Sequence, residues 1–351
     1  MPELEVLETG HIDRNDSAFP TLVRLDSGDI LCGFSVGGGA HATGGTRCAR
    51  SADGGRTWTN QGVVLGPTTE PATRNSLRLS RTSDGAILAY GQRDEIAADR
   101  AEERGACHAV FCQSIDEGRT WSAPQNIPAP FPGPYEISNP IVVTDDGRWL
   151  APAASYHRGL YGEVVVMFES SDQGRTWPNT LTVFEHPRKT IGYLEQKVIT
   201  CQPTRLLAIA WRQDYEKDVD IENGFSFSHD GGRTWDGPHS TGIQGQTMTP
   251  LWIGEDRFLV LYNRRFGQQA IRMCLVRASG ANWSIEYEDT MWDAGATFEL
   301  TADVSSNEQI PLFQFGYPMP LRLDSNTFLT THWCEEDGVC GIRWTRLRMS
   351  E

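Results

Sequence analysis

Short apolar runs, broken by polar turn residues, recur along the whole chain. Six times a run, a turn and a second run follow one another: PTLVRLDSGDILCGF (20–34), SLRLSRTSDGAILAY (76–90), NPIVVTDDGRWLAPA (139–153), EQKVITCQPTRLLAIAW (195–211), TPLWIGEDRFLVLY (249–262) and PMPLRLDSNTFLTTHW (318–333). Apolar positions on both sides of an Asp-Gly-type turn predict β-hairpins. A third strand-like segment follows, as in TRCARS, HAVFCQS, VVVMFES and GFSFSHD, and then a fourth, as in QGVVLG. Six four-stranded units of roughly 50–60 residues predict an all-β fold, a six-bladed β-propeller. It fills residues 1–351 as one domain. The sixth unit ends at GIRWTRLRM without a fourth strand, and the N-terminal LEVLET supplies it. That pairing closes the ring and covers two sheet edges. Stretches 94–106 and 284–315 read as insertions, the first a helical or irregular loop.

Each third segment runs into one eight-residue word: SADGGRTW (51–58), SIDEGRTW (114–121), SSDQGRTW (170–177) and SHDGGRTW (228–235). An eroded fifth copy, ASGANW, ends at Trp283. The Asp suits a turn whose backbone N–H groups it accepts, and the Gly in fifth place suits positive φ. The Thr opens a strand and the Trp packs into the blade. A turn used four times at equivalent places reads as scaffold, since a ring has one catalytic centre.

Composition narrows the partners. The net charge is −15, and no cluster of five or six Lys/Arg occurs. Nucleic acid and anionic membranes are thereby disfavoured. No apolar run reaches transmembrane length, and the N-terminus, MPELEVLETGHIDRND, is acidic. The eight cysteines are dispersed without a C-x-x-C pair, so no metal or other cofactor is implied. The expectation is a reduced, cytoplasmic protein.

Propellers collect chemistry from the loops entering and leaving the inner strands. Arg93, Arg158, Arg212, Arg264 and Arg265 all cluster where second strands end, with Arg74 and Arg47 at other blade ends. Cations brought together repel unless an anion joins them, which points to a carboxylate, sulfate or phosphate on the ligand. The alternative is local pairing, Arg93 with Asp94 and Arg212 with Asp214. His41 and His157 are candidate proton carriers. Tyr156 stands beside His157, and Trp211 and Trp333 offer platforms for a sugar ring.

The word S-x-D-x-G-x-T-W is the Asp box, and over nearly its whole length the chain resembles the sialidase (neuraminidase) superfamily. The resemblance implies a six-bladed propeller with a central active site opposite the Asp boxes. It implies metal-free hydrolysis of glycosides, usually of sialic acids. Three arginines hold the substrate carboxylate there, a Tyr polarised by a Glu is the nucleophile, and an Asp is the acid/base. Carried over, Tyr317 is the nucleophile, Glu195 its polarising partner, and Arg212 a carboxylate ligand, with Arg264 or Arg265 as the third arginine. Ala18 stands where the family places its first arginine, and VGGGAHATGGTR, where the acid/base Asp belongs, contains no carboxylate. The expected function is an exo-acting glycosidase for an acidic or unusual sugar, with carbohydrate as its partner. A uronate lyase using Tyr156 and His157, and a non-catalytic sugar-binding propeller, are the alternatives.

Overall fold

The computed structural model describes residues 2–39, 43–96, 104–157, 160–295, 309–310 and 312–350. The chain opens with β1 (Leu4–Asp13). Blade 1 is β2 (Ser17–Arg24), β3 (Ile30–Val36), β4 (Thr46–Ser51) and β5 (Thr59–Leu65). Blade 2 is β6 (Thr73–Arg81), β7 (Ile87–Ile96), β8 (Arg104–Ser114) and β9 (Gln125–Ile127). In blade 3 the innermost strand is split into β10 (Tyr135–Glu136) and β11 (Val142–Val143), followed by β12 (Trp149–His157), β13 (Leu160–Ser170) and β14 (Asn179–Phe184). Pro140 lies in the break, and its ring nitrogen has no hydrogen to give a ladder. Blade 4 is β15 (Ile191–Gln202), β16 (Arg205–Asp214), β17 (Val219–Ser228) and β18 (His239–Ser240). Blade 5 is β19 (Gln246–Gly254), β20 (Arg257–Arg264), β21 (Ala270–Ser279) and β22 (Asn282–Asp293). Blade 6 is β23 (Phe315–Arg322), β24 (Thr327–Glu336) and β25 (Val339–Met349).

Each blade is an antiparallel sheet, and β1 completes the sixth by pairing with β25 from Leu4↔Met349 to Asp13↔Ile342. The expected closure is therefore what the chain forms. Apolar side chains of neighbouring blades interdigitate, as Phe111 of blade 2 does with Trp149 and Trp177 of blade 3. The two expected insertions shrink. β7 extends to Ile96 and β8 starts at Arg104, while β22 claims 282–293 as the fourth strand of blade 5. The alternation of NWSIEYEDTMWD is that of an outer strand half in solvent, which explains its polar look. The eroded copy before Trp283 is the tight turn between β21 and β22, where Ser279 faces Asn282.

The four repeated words fold alike. Ser51, Ser114, Ser170 and Ser228 each accept the N–H of the fifth-place glycine at 2.8 Å. Asp53, Asp116, Asp172 and Asp230 each accept the N–H of the Thr four residues on, at 2.8–2.9 Å. The same Thr donates its hydroxyl to that carboxylate at 2.6–2.7 Å. The glycines Gly55, Gly118, Gly174 and Gly232 have φ of 94°, 83°, 83° and 89°. They also press on the preceding blade. A Cβ on Gly118 would stand 2.6 Å from Leu31, one on Gly174 2.7 Å from Phe111, one on Gly232 3.0 Å from Met167, and one on Gly55 2.5 Å from Leu329 of blade 6. The word is thus both a turn and a wedge between blades.

Ser114→Ala is expected to leave Gly118 N–H and Asp116 short of a partner and to cost about 1–2 kcal/mol, read from the urea midpoint. The hydrogen bonds also hold Asp116, Asp172 and Asp230 down to about 2. A carboxyl depressed on folding stabilises above its unfolded value, about 4, and loses that contribution as pH falls through its folded value. Melting temperature is therefore expected to fall between about pH 4 and 2, and less steeply in Asp116→Asn.

Candidate active site

The four words close the third strands, and register places Ser51 beside Ile30 at the far end of β2. The opposite end of the inner strands lines a funnel on the ring axis of about 160 Å³. That is roughly ten times what one water needs, so the funnel has room for more than solvent.

Bulges aim the lining inward. β2, β15, β19 and β23 each carry a register shift near their starts. Within these bulges Phe19, Glu195, Thr247 and Tyr317 sit at φ of 56°, 49°, 46° and 57°. Such backbone is costly for residues with a Cβ, and bulges re-aim side chains next to functional sites. All four face the funnel, with Ser76 and Ser138 at the equivalent places in blades 2 and 3.

Two carboxyl groups stand on the floor. Glu136 accepts the N–H of Glu195 at 2.9 Å and the hydroxyl of Ser138. Glu195 accepts the hydroxyl of Thr247. Burial, with the charge of Glu195 beside it, pushes Glu136 up to about 7. Around them lie cations. Arg78 donates from Nε to the Tyr317 hydroxyl at 2.8 Å and from Nη1 to Ser76 at 2.6 Å, and stacks between the rings of Phe19 and Tyr317. Arg265 donates to the carbonyl of Phe315 at 2.5 Å and to Gln246 at 3.4 Å, lies 3.7 Å above the Phe313 ring, and keeps an unpartnered Nε. Among the described residues neither arginine has a carboxylate within ion-pairing distance. Burial lowers Arg265 to about 10. Lys197 is fully buried beneath the floor, its Nζ 3.6 Å from the centre of the Tyr317 ring and donating to the Ser138 carbonyl.

The structure gathers part of the expected set. Tyr317, Glu195, Arg74, Arg265, Tyr156 and Trp211 line the funnel, as does Trp333. Arg74 is paired with Asp94 at 3.2 Å. Tyr317 and Glu195 are not hydrogen-bonded to each other. The phenol donates to the Ser138 carbonyl and accepts from Arg78, while Glu195 is taken by Thr247.

Arg93, Arg212, Arg264 and Arg47 do not reach the funnel. Arg212 folds over Gly224 and donates to the Glu222 carbonyl at 2.6 Å within its own blade. Arg93 reaches Thr68, Arg264 is exposed, and Arg47 is exposed on β4, the third strand. Strand alternation is the reason: in blades 2 and 4 the neighbours Gln92, Asp94 and Trp211 point inward, so the arginine beside them points away. Nor does Arg93 or Arg212 make the alternative local pair with Asp94 or Asp214, which pair instead with Arg74 and Lys217. Ala18 is fully buried in the core. His41, Arg158 and the side chain of His157 lie outside the described residues.

Arg78 and Lys197 escape a reading that weighs strand ends, whereas Glu136 is among the residues that such a reading offers for blade 3. The signal of the two cations lies in the columns of the repeat. Arg78 and Lys197 occupy the place held by Thr21, Thr249 and Met319 in other blades, two residues beyond the funnel column. A cation in mid-strand on an innermost strand, as Arg78 is between Leu77 and Leu79, has no solvent to reach and needs polar partners inside the ring.

The family of the BNR repeat-like domain matches residues 96–324. A sialidase of Micromonospora viridifaciens is 30% identical over 132 residues, covering 37% of this chain and 19% of that protein, so the match spans about a fifth of that relative's length. A solved protein of unknown function from Dyadobacter fermentans DSM 18053 is similar over 100% of both chains, with a TM-score of 0.78 and 20% identity. The GH93 α-L-arabinofuranosidase of Fusarium graminearum, solved with arabinobiose, is similar over 98% of each chain, with a TM-score of 0.68 and 12% identity. These two structural likenesses speak to the fold.

Burial raises the Tyr317 phenol above the ordinary tyrosine range despite Arg78. The difference in tyrosinate absorbance between wild type and Tyr317→Phe is therefore expected to stay flat through about pH 10, where exposed tyrosines ionise. A step there would place the ring in water.

Proposed function

The chain belongs to the BNR repeat-like domain family, and from its funnel we propose that it is a glycoside hydrolase acting on a sugar that bears an anionic group. The observation that carries this reading is the carboxyl pair of Glu136 and Glu195 on the funnel floor. Glycoside hydrolysis needs one carboxyl to protonate the leaving oxygen and another to attack the anomeric carbon or activate water. Glu136, pushed up to about 7, is the acid. Its proton goes to the glycosidic oxygen as the bond to the anomeric carbon breaks. Glu195, oriented by Thr247, is the nucleophile or, through a water, the base.

Arg78 and Arg265 supply buried positive charge that, among the described residues, no carboxylate neutralises by contact. Such charge is costly unless a ligand answers it, which favours a carboxylate or similar group on the sugar. Phe19, Tyr156, Trp211, Phe313 and Trp333 add apolar ring faces for the sugar. The relatives support the reaction class: the similar proteins include a sialidase and an arabinofuranosidase. A second reading makes Tyr317 the nucleophile. Arg78 on its oxygen and Lys197 against its ring are placed to stabilise a phenolate.

The test is a panel of aryl sialosides, uronides, arabinofuranosides and neutral hexosides, with absorbance of unsaturated uronate recorded alongside. Glu136→Gln and Glu195→Gln are expected to lower kcat/KM roughly 100-fold or more on the substrate turned over. Wild-type kcat/KM is expected to fall as pH rises through about 7, where Glu136 gives up its proton. Loss of hydrolysis in Tyr317→Phe with Glu195→Gln still active would select the tyrosine reading. An unsaturated product would overturn hydrolysis in favour of elimination.

A further inference from the structure

Beneath the funnel floor lies a charged group that is not part of the lining. This is Lys197, fully buried on β15. Its partners are a ring and a carbonyl: Tyr317, at 3.6 Å, and the oxygen of Ser138. Tyr317 donates to that same oxygen, so two donors from blades 4 and 6 converge on one backbone atom of blade 3. Two donors on one carbonyl hold the peptide from two directions. The hydroxyl of Ser138, on the same residue, donates to Glu136. Lys197, Ser138 and Glu136 thus form a short chain from the buried cation to the funnel carboxyl.

We propose that Lys197 is the positioning residue for Glu136: it clamps the Ser138 carbonyl from below, so that the Ser138 hydroxyl holds the carboxyl in the funnel. This rests on the reading of Glu136 as the acid. A buried ammonium without a carboxylate contact is expensive, and a methionine or leucine would fill this space at less cost. Retaining the cation therefore asks for a function beyond packing.

The groups facing the pair come from every side. Glu195 shares β15, Arg78 comes from β6, Tyr317 from β23 and Tyr90 from β7. Burial and the charge of Arg78 press Lys197 down to about 7, against the pull of Glu195 and Glu136. For Glu136, Lys197 and the Ser138 hydroxyl act in one direction, favouring the carboxylate, while burial and Glu195 act in the other. Removing Lys197 or the hydroxyl must therefore move the proton loss of Glu136 to higher pH.

The experiment compares wild type, Lys197→Met, Lys197→Arg and Ser138→Ala, each checked for native circular dichroism. Two readouts are taken. One is the pH dependence of kcat/KM on whichever glycoside is hydrolysed. The other is the infrared carbonyl band of protonated carboxyl, titrated without substrate and assigned by its loss in Glu136→Gln. Lys197→Met is expected to raise the midpoint by about one pH unit or more, and Lys197→Arg is expected not to raise it. Ser138→Ala, which leaves the carbonyl in place, is expected to raise it as well. A folded Lys197→Met with an unmoved midpoint would overturn the proposal, whatever its effect on rate. If no glycoside is hydrolysed, the reading of the funnel as a hydrolase fails, yet the infrared midpoint still decides whether Lys197 governs Glu136. If Lys197→Met does not fold, an unmoved midpoint in Ser138→Ala overturns the chain.

Discussion

A ring of sheets stands or falls by its last hydrogen-bonded ladder, here that of β1 with β25. Without it blade 6 would end in a free strand edge, and blade 1 would lack the neighbour its apolar face packs against. The ladder is reinforced from the side: His11 of β1 reaches across β25 to Glu336 at 2.7 Å, and Glu336 also accepts from Arg343 at 2.7 Å. Once closed, the ring holds six inner strands around one axis. Residues from positions 19 to 317 then become neighbours, as the edge-to-face contact of Phe19 and Tyr317 at 5.5 Å shows.

Convergence alone would give a smooth funnel. The chemistry comes from local departures from strand geometry, where four bulges turn one residue each toward the axis. The left-handed backbone at those places is a cost set against the stability of the sheets around it. The polar atoms so exposed are then coupled across blades: Arg78 of blade 2 to Tyr317 of blade 6, Thr247 of blade 5 to Glu195 of blade 4, and the Glu195 N–H to Glu136 of blade 3. No single blade contains a working constellation, so the funnel is a property of the closed ring.

How legible this was differs by level. The blades, their order and the closing strand are written in hairpin runs and four identical turns, because each rests on local rules of alternation and turn chemistry. Tyr317 and Glu195 are marked by the family resemblance at the heads of two apolar runs, and the structure sets both in bulges inside β23 and β15. The arginines at second-strand ends are also conspicuous, yet a shift of one residue sends a strand side chain to the opposite face, and Arg93, Arg212 and Arg264 are lost that way. Arg78 and Lys197 hide for the converse reason. They sit inside innermost strands, where their partners are Tyr317 and Ser138, 239 and 59 residues away in sequence respectively, and only the folded ring brings them together. The polar look of β22 misleads differently, since an outermost strand has one face in water.

The wedge formed by each fifth-place glycine gives the ring a direction. Three of the turns settle on a blade made before them, but that of blade 1 settles on Leu329 of blade 6, and its Gly54 carbonyl accepts from Arg346 at 2.5 Å. During synthesis on the ribosome the first such turn to emerge is therefore the last to find its seat. It must wait, exposed, for nearly the whole remaining chain, and blade 1 is the part of the nascent protein that a chaperone would have most time to meet.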